Sequence, residues 1–175
     1  MKRIGFGQIE PNHLSAQRNG QVYGTLPCAK SIKVLENGQF VKYDYANNEV
    51  NYTGAGEWML VYNEVKLYEG SMYRESYKDF ALQASNYDKG EITPRVMKTM
   101  PGDIFTTNCL EKGNTSGKAE VEMTDVAVGD FLTVVDGYLT KSGDTMPAGN
   151  DMVWQVVKVY TMPDAQAGVK VMRVR

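Results

Sequence analysis

Residues 31–45, SIKVLENGQFVKYDY, place two β-prone runs on either side of Asn37-Gly38. Asn-Gly readily takes the two positive φ angles of a type I′ turn, so this stretch predicts a β-hairpin. Downstream, after a turn-like TGAGE, residues 58–68 read WMLVYNEVKLY, a continuous apolar run that passes into alternation. That pattern suits a strand that enters a core and then runs along a surface. Phe40, Tyr43, Tyr45, Tyr52, Trp58, Tyr62 and Tyr68 all fall between residues 37 and 70, a stretch with no histidine and no cysteine. Aromatic and β-branched side chains fill pleated sheet faces and make good cross-strand pairs, so these rings need no ligand to explain them.

The rest of the chain carries the same signal. GDIFTTNCL at 102–110 and GDFLTVVDGYL at 129–139 both open on Gly-Asp and continue into an apolar run. The shared opening predicts two equivalent turns leading into strands. EKGNTSGKAE and KSGDTMPAGND read as polar loops, and the last 23 residues read as two strands joined by MPDAQAG, the final one at a sheet edge. Residues 71–90 mix a partial helical stripe with DFALQA and lean to strand or irregular structure, with one short helix as the alternative. The first residues, MKRIGFGQIEPNHLSAQRNGQVYGTLP, are interrupted by Gly5, Gly7, Pro11, Gly20 and Gly24, and predict an extended arm with one short strand near Val22. The expected architecture is mainly β, a small barrel or sandwich in one or two units. Its expected divisions are an arm over 1–27, a β-rich unit over 28–90 and a barrel-like unit over 91–175, with one continuous domain over the last two as the alternative.

Composition narrows the functional classes. Apolar residues make up 42% and charged residues 23%, values near those of ordinary globular chains. The formal net charge of −2 supplies no concentrated basic surface of the kind that binds nucleic acid by counterion release. The charge is nevertheless uneven. Residues 1–30 hold Lys2, Arg3, Arg18 and Lys30 against Glu10, and residues 153–175 hold Lys158, Lys170, Arg173 and Arg175 against Asp164, so both ends are basic and the middle is acidic. Basic ends of this kind suit docking on an acidic partner, although solvated termini account for them more simply. The N-terminus lacks the continuous apolar stretch of a signal peptide, and no apolar run is long enough to cross a membrane as a helix. Synthesis in the cytoplasm is the expectation.

Reactive groups are sparse. Cys28 and Cys109 have no CxxC or Cys/His companions, which excludes a recognisable zinc pattern and leaves a disulfide between them open, with free, mostly buried thiols the expectation. His13 is the only histidine and lies in the arm, a poor support for a general base. Asp103, Asp125, Asp130, Asp136 and Asp144 sit in turn-like Gly-Asp or Asp-Gly contexts or loops with no EF-hand spacing, so turn formation is favoured over metal binding. A pair of distant carboxylates of the glycosidase kind has no local motif here. GFG, GAGE and PAGN lack the strand-to-helix setting and lysine of a phosphate loop. No cofactor is expected. Trp58, Tyr62, Tyr68, Tyr73, Tyr77 and Tyr87 would suit a sugar-stacking or base-stacking platform, though sheet packing is the stronger reading.

The glycine-punctuated start, followed by LENGQFVKYDYANNEV and GEWMLVYNEVKLYEG, resembles small structural proteins of tailed bacteriophages, auxiliary or decoration proteins of the capsid in particular. PGDIFTTNCL and VGDFLTVVDGYL look like the small β-barrel segments of such proteins. The resemblance implies a non-enzymatic virion protein, in many copies, seated on the major capsid protein and neighbouring subunits. It implies no active site, no direct nucleic-acid contact and no membrane. The expected capsid contacts are Lys2, Arg3, Phe6, Arg18 and Tyr23 in and beside the arm, with exposed rings among Tyr43, Tyr45, Tyr52 and Trp58. A head-fibre, tail or baseplate adaptor and a carbohydrate-binding module using exposed tyrosines are the alternatives.

Overall fold

In the computed structural model, residues 22–23, 26–63, 82–83, 92–110, 125–149, 151–163 and 165–175 are described. They form twelve strands: β1 (Val22–Tyr23), β2 (Val34–Leu35), β3 (Phe40–Asp44), β4 (Glu49–Asn51), β5 (Met59–Val61), β6 (Leu82–Gln83), β7 (Val96–Met97), β8 (Ile104–Thr107), β9 (Phe131–Val135), β10 (Tyr138–Gly143), β11 (Val153–Thr161) and β12 (Ala167–Arg173). Two antiparallel five-stranded sheets result, ordered β1-β7-β5-β3-β4 and β10-β9-β11-β12-β8, with β2 and β6 paired separately. The mainly β class expected from the sequence is what forms.

The first sheet is covered on both faces. Phe40, Leu60 and Met97 stand in register across β3, β5 and β7 and join one core, while Val41, Met59, Val61 and Val96 point the other way into a second. This double burial is why the run at residues 58–62 is continuously apolar instead of alternating. The first core is shared with the second sheet. Phe40 of β3 meets Phe105 of β8 and Trp154 of β11 with ring centroids 6.2 and 5.8 Å away, and Phe105 meets Trp154 edge-on at 4.9 Å. All three are fully buried, and truncating any one to alanine should cost about 3–5 kcal/mol. Since β7 pairs with β5, the first sheet draws strands from both sides of the 90/91 division. At the end of the arm, β1 lies on β7, and Pro27 accepts a hydrogen bond from Val50 at 2.8 Å.

Asn37-Gly38 does not make the expected hairpin. Gly38 has φ 91° but Asn37 is not in the positive-φ region, and β2 pairs with β6 instead of β3. The reason is visible in the side chain. Asn37 donates to the Asn63 carbonyl at 2.8 Å and accepts from the Asn63 N–H at 2.6 Å, which ties this buried turn across β5. The type I′ geometry falls at Asp136-Gly137, with φ 48° and 84°, between β9 and β10. Gly137 also joins the two sheets: its carbonyl accepts the Phe40 N–H at 2.8 Å, beneath the Tyr52 ring.

The two Gly-Asp turns are equivalent in detail. Asp103 accepts the Met100 N–H and Asp130 accepts the Ala127 N–H, each at 2.7 Å and each on a carboxylate oxygen. Gly102 and Gly129 have φ 96° and 98°. Gly102 donates to the Arg173 carbonyl while Arg173 donates to the Asp103 carbonyl, and Gly129 and Asp130 make the same exchange with Val156. The register follows: Ile104, Phe105 and Thr106 face Met172, Val171 and Lys170, as Phe131, Leu132 and Thr133 face Gln155, Trp154 and Val153. An approximate local twofold therefore passes through the Gln155–Met172 pair of the β11–β12 hairpin. It places β12 between β11 and β8, so the last strand is not the edge strand that the sequence suggests.

Candidate contact surface

The β3–β4 hairpin carries the most exposed large ring among the described residues. Its loop, 45–48, closes on Asn48 in the left-handed region at φ 55°, a conformation asparagine tolerates. Asp44 fixes the loop. One carboxylate oxygen accepts the N–H groups of Ala46 and Asn47 at 3.1 and 3.2 Å, and the other accepts the side-chain amides of Asn47 and Asn51 at 2.9 and 3.1 Å. The bonds from Asn47, side chain first and then backbone, hold the Asp44 carboxyl below its ordinary pKa against a small opposing effect of burial. Asn51 extends the clamp by accepting the Thr53 and Gly54 N–H groups. Tyr45 rises from this support with 77% of its surface exposed, its ring centroid 5.3 Å from that of Tyr43.

The other ring positions differ. Tyr43 is buried, part of the second core, with its ring against that of Tyr45. Tyr52 is half-buried at the joint over Gly137, and burial, ahead of nearby thiol and Asp136 charges, raises its phenol pKa despite a bond with Gln39. Trp58 is half-buried against the shared core with the Lys42 ammonium 4.6 Å from its ring centroid, and Tyr62 packs on the same core. These rings form no exposed coplanar platform among the described residues. Tyr23 contributes backbone to β1. Lys2, Arg3, Phe6 and Arg18, together with His13 and Tyr68, Tyr73, Tyr77 and Tyr87, lie outside the described residues, as do the expectations for residues 71–81 and 84–90 and for the loop at 111–120.

The candidate reactive groups are tied into the fold. Cys28 and Cys109 are unpaired and buried. Burial, helped by the Glu49 charge, pushes the Cys28 thiol up to about 12, and burial, helped by Glu36, raises Cys109 well above its ordinary value. Asp103 and Asp130 hold turns, and Asp136 opens the β9–β10 turn. Lys141 pairs with Asp130 at 2.8 Å and donates to the Asp125 carbonyl. No three His, Cys, Asp or Glu residues gather in a metal-binding arrangement among the described residues, and no described helix is long and apolar enough to cross a membrane. No family model, curated protein or solved structure matches the chain.

The sequence signal for the hairpin support was present but unread. In DYANNE, an aspartate is followed at the second and third positions by residues whose N–H groups it caps, and an asparagine stands at the left-handed position.

Proposed function

We propose that the chain is a non-enzymatic virion structural protein, an auxiliary or decoration protein that binds and stabilises the major capsid shell of a tailed phage. Tyr45 carries this reading: a large ring, mostly exposed, held on a turn fixed by the Asp44 carboxylate. Exposed aromatic anchors on rigid supports suit protein contact because little side-chain entropy is lost on docking. Repetition over a particle turns weak contacts into strong attachment. The reading carries with it a barrel-like unit built on the β8–β12 sheet, an arm that reaches neighbouring subunits, and many copies at the virion surface.

The test is co-sedimentation with empty phage capsids, comparing the full chain, Tyr45→Ala and a chain beginning at Thr25. Saturable binding, weakened at least tenfold by Tyr45→Ala and further by loss of the arm, is expected for a hot-spot ring. Undiminished binding of both variants overturns the assigned contact, and absence of binding across a suitable capsid set overturns the capsid reading.

A further inference from the structure

Directly opposed residues on antiparallel strands hold their Cβ atoms about 4.5–5.5 Å apart, and like charges there are destabilising. Among the described residues this happens twice, with opposite signs. Lys158 of β11 faces Lys170 of β12, and Asp44 of β3 faces Glu49 of β4. The ion pairs of the described residues lie elsewhere, at Lys98–Glu57 and Lys141–Asp130, so neither lysine is neutralised by a carboxylate and neither acid by a cation. Asn51 lies between the two acids, donating to Asp44 at 3.1 Å and to Glu49 at 3.4 Å, which keeps both carboxylates in place at the hairpin end.

Each pair has apolar surface beside it. The acids close the strand ends of the hairpin whose loop carries the exposed Tyr45. The lysines border the outer face of the second sheet, where Ile104, Met172, Gln155 and Phe131 stand in one register row across four strands, all half-buried. Tyr160, with the Lys158 ammonium 5.2 Å from its ring centroid, closes the other side. Two acids on a hairpin that carries an exposed ring thus match two cations beside a half-buried row of three apolar side chains and Gln155.

We infer that successive copies of this chain associate head to tail, the Asp44–Tyr45–Glu49 hairpin of one copy seated on the Lys158–Lys170 face of the next. Docking sets each like-charged pair against the pair of opposite sign. The two patches differ, so the contact is heterologous and propagates into a ring or chain instead of stopping at a symmetric dimer. Electrostatic contacts of this kind weaken with salt. The contact uses the same hairpin that the capsid reading assigns to the shell, so in an assembled row only the terminal copy leaves Tyr45 free for capsid; the contact between copies is tested in purified protein.

Sedimentation velocity of the full chain without capsids, over a wide concentration range at low and high salt, tests it. Wild type should assemble beyond dimers at low salt, with affinity falling about tenfold or more at high salt. Lys158→Glu/Lys170→Glu alone and Glu49→Lys alone should each remain monomeric, the second leaving the Asp44 bonds to residues 46 and 47 intact. Mixed together they retain one native patch each and should form a one-to-one dimer that grows no further. A monomeric wild type, variants that assemble like wild type, or a mixture that stays monomeric would each overturn the inference. Lys158→Gln/Lys170→Gln, with the near-ultraviolet circular dichroism of wild type, provides the same loss of assembly without reversed charge. Failure to bind capsids leaves these results unchanged, so the two readings fail separately.

Discussion

Replacing Gly137 with alanine should open the joint between the two sheets. A Cβ at this position would lie 2.5 Å from Tyr52 Cε1 and 2.8 Å from the Phe40 carbonyl oxygen. The ring can shift, but the carbonyl belongs to β3, whose neighbouring N–H is bonded to Gly137 itself at 2.8 Å. Two costs add: about 1–2 kcal/mol for a Cβ in the left-handed region, at φ 84°, and about 1–3 kcal/mol for overpacking. The sum, about 2–5 kcal/mol, is a large fraction of ordinary domain stability and lowers the melting midpoint by roughly 4–20 °C. Gly102 separates the terms, because its φ is 96° yet nothing lies within 4 Å of its would-be Cβ. Gly102→Ala should therefore cost about 1–2 kcal/mol. Denaturant unfolding of both variants reads the difference, and Tyr52→Ala in the Gly137→Ala background should recover the part owed to the ring. Equal costs at Gly137 and Gly102, with no coupling to Tyr52, would refute the packing of the joint.

Asp130 supplies a pH-dependent test. Burial raises its pKa, but the Ala127 N–H and Lys141 outweigh burial and leave the carboxyl below its ordinary value. A depressed folded-state pKa adds stability above the unfolded value, near 4, that is lost as pH falls through the folded one; Asp130→Asn should flatten the fall in stability seen by denaturation between about pH 5 and 2. The thiols give the opposite limb. With Cys28 raised to about 12 and Cys109 raised too, stability should decline as pH rises above about 8.5, where unfolded thiols ionise, and disulfide reagents should label both only after unfolding. Finally, Tyr45→Ala should change stability by no more than about 0.5 kcal/mol, as surface substitutions do, whereas Trp154→Ala should cost about 3–5 kcal/mol by the same unfolding assay.

The fold was legible where a local rule and the tertiary arrangement agree. Gly-Asp at 102–103 and 129–130 marked two equivalent turns because a positive-φ glycine followed by a capping aspartate is a property of the sequence itself. Their partners were not legible. Val153-Trp154-Gln155-Val156 and Lys170-Val171-Met172-Arg173 occupy matching positions through backbone hydrogen bonds, which place no demand on side-chain identity. Asn37-Gly38 failed for a related reason: a long-range bond between Asn37 and the Asn63 backbone outweighs the local turn preference. Such a partner, 26 residues away, leaves no mark near the turn.

The same distinction governs the contact surface. Aromatic content singled out the region of Tyr43, Tyr45, Tyr52 and Trp58, but ring chemistry alone does not separate a buried tyrosine from an exposed one. Alternation along β3 sends Tyr43 inward, whereas Tyr45, two residues on and beyond the strand, packs on the Tyr43 ring yet stays exposed. Charge carried further information that composition conceals. A chain of net −2 with basic ends looks nearly neutral, yet strand register concentrates like charges into one acidic and one basic pair. Read along the sequence, these four residues are scattered single charges; only the register sets Lys158 against Lys170 and Asp44 against Glu49, and so gives the two surfaces the opposite signs on which head-to-tail docking would rest.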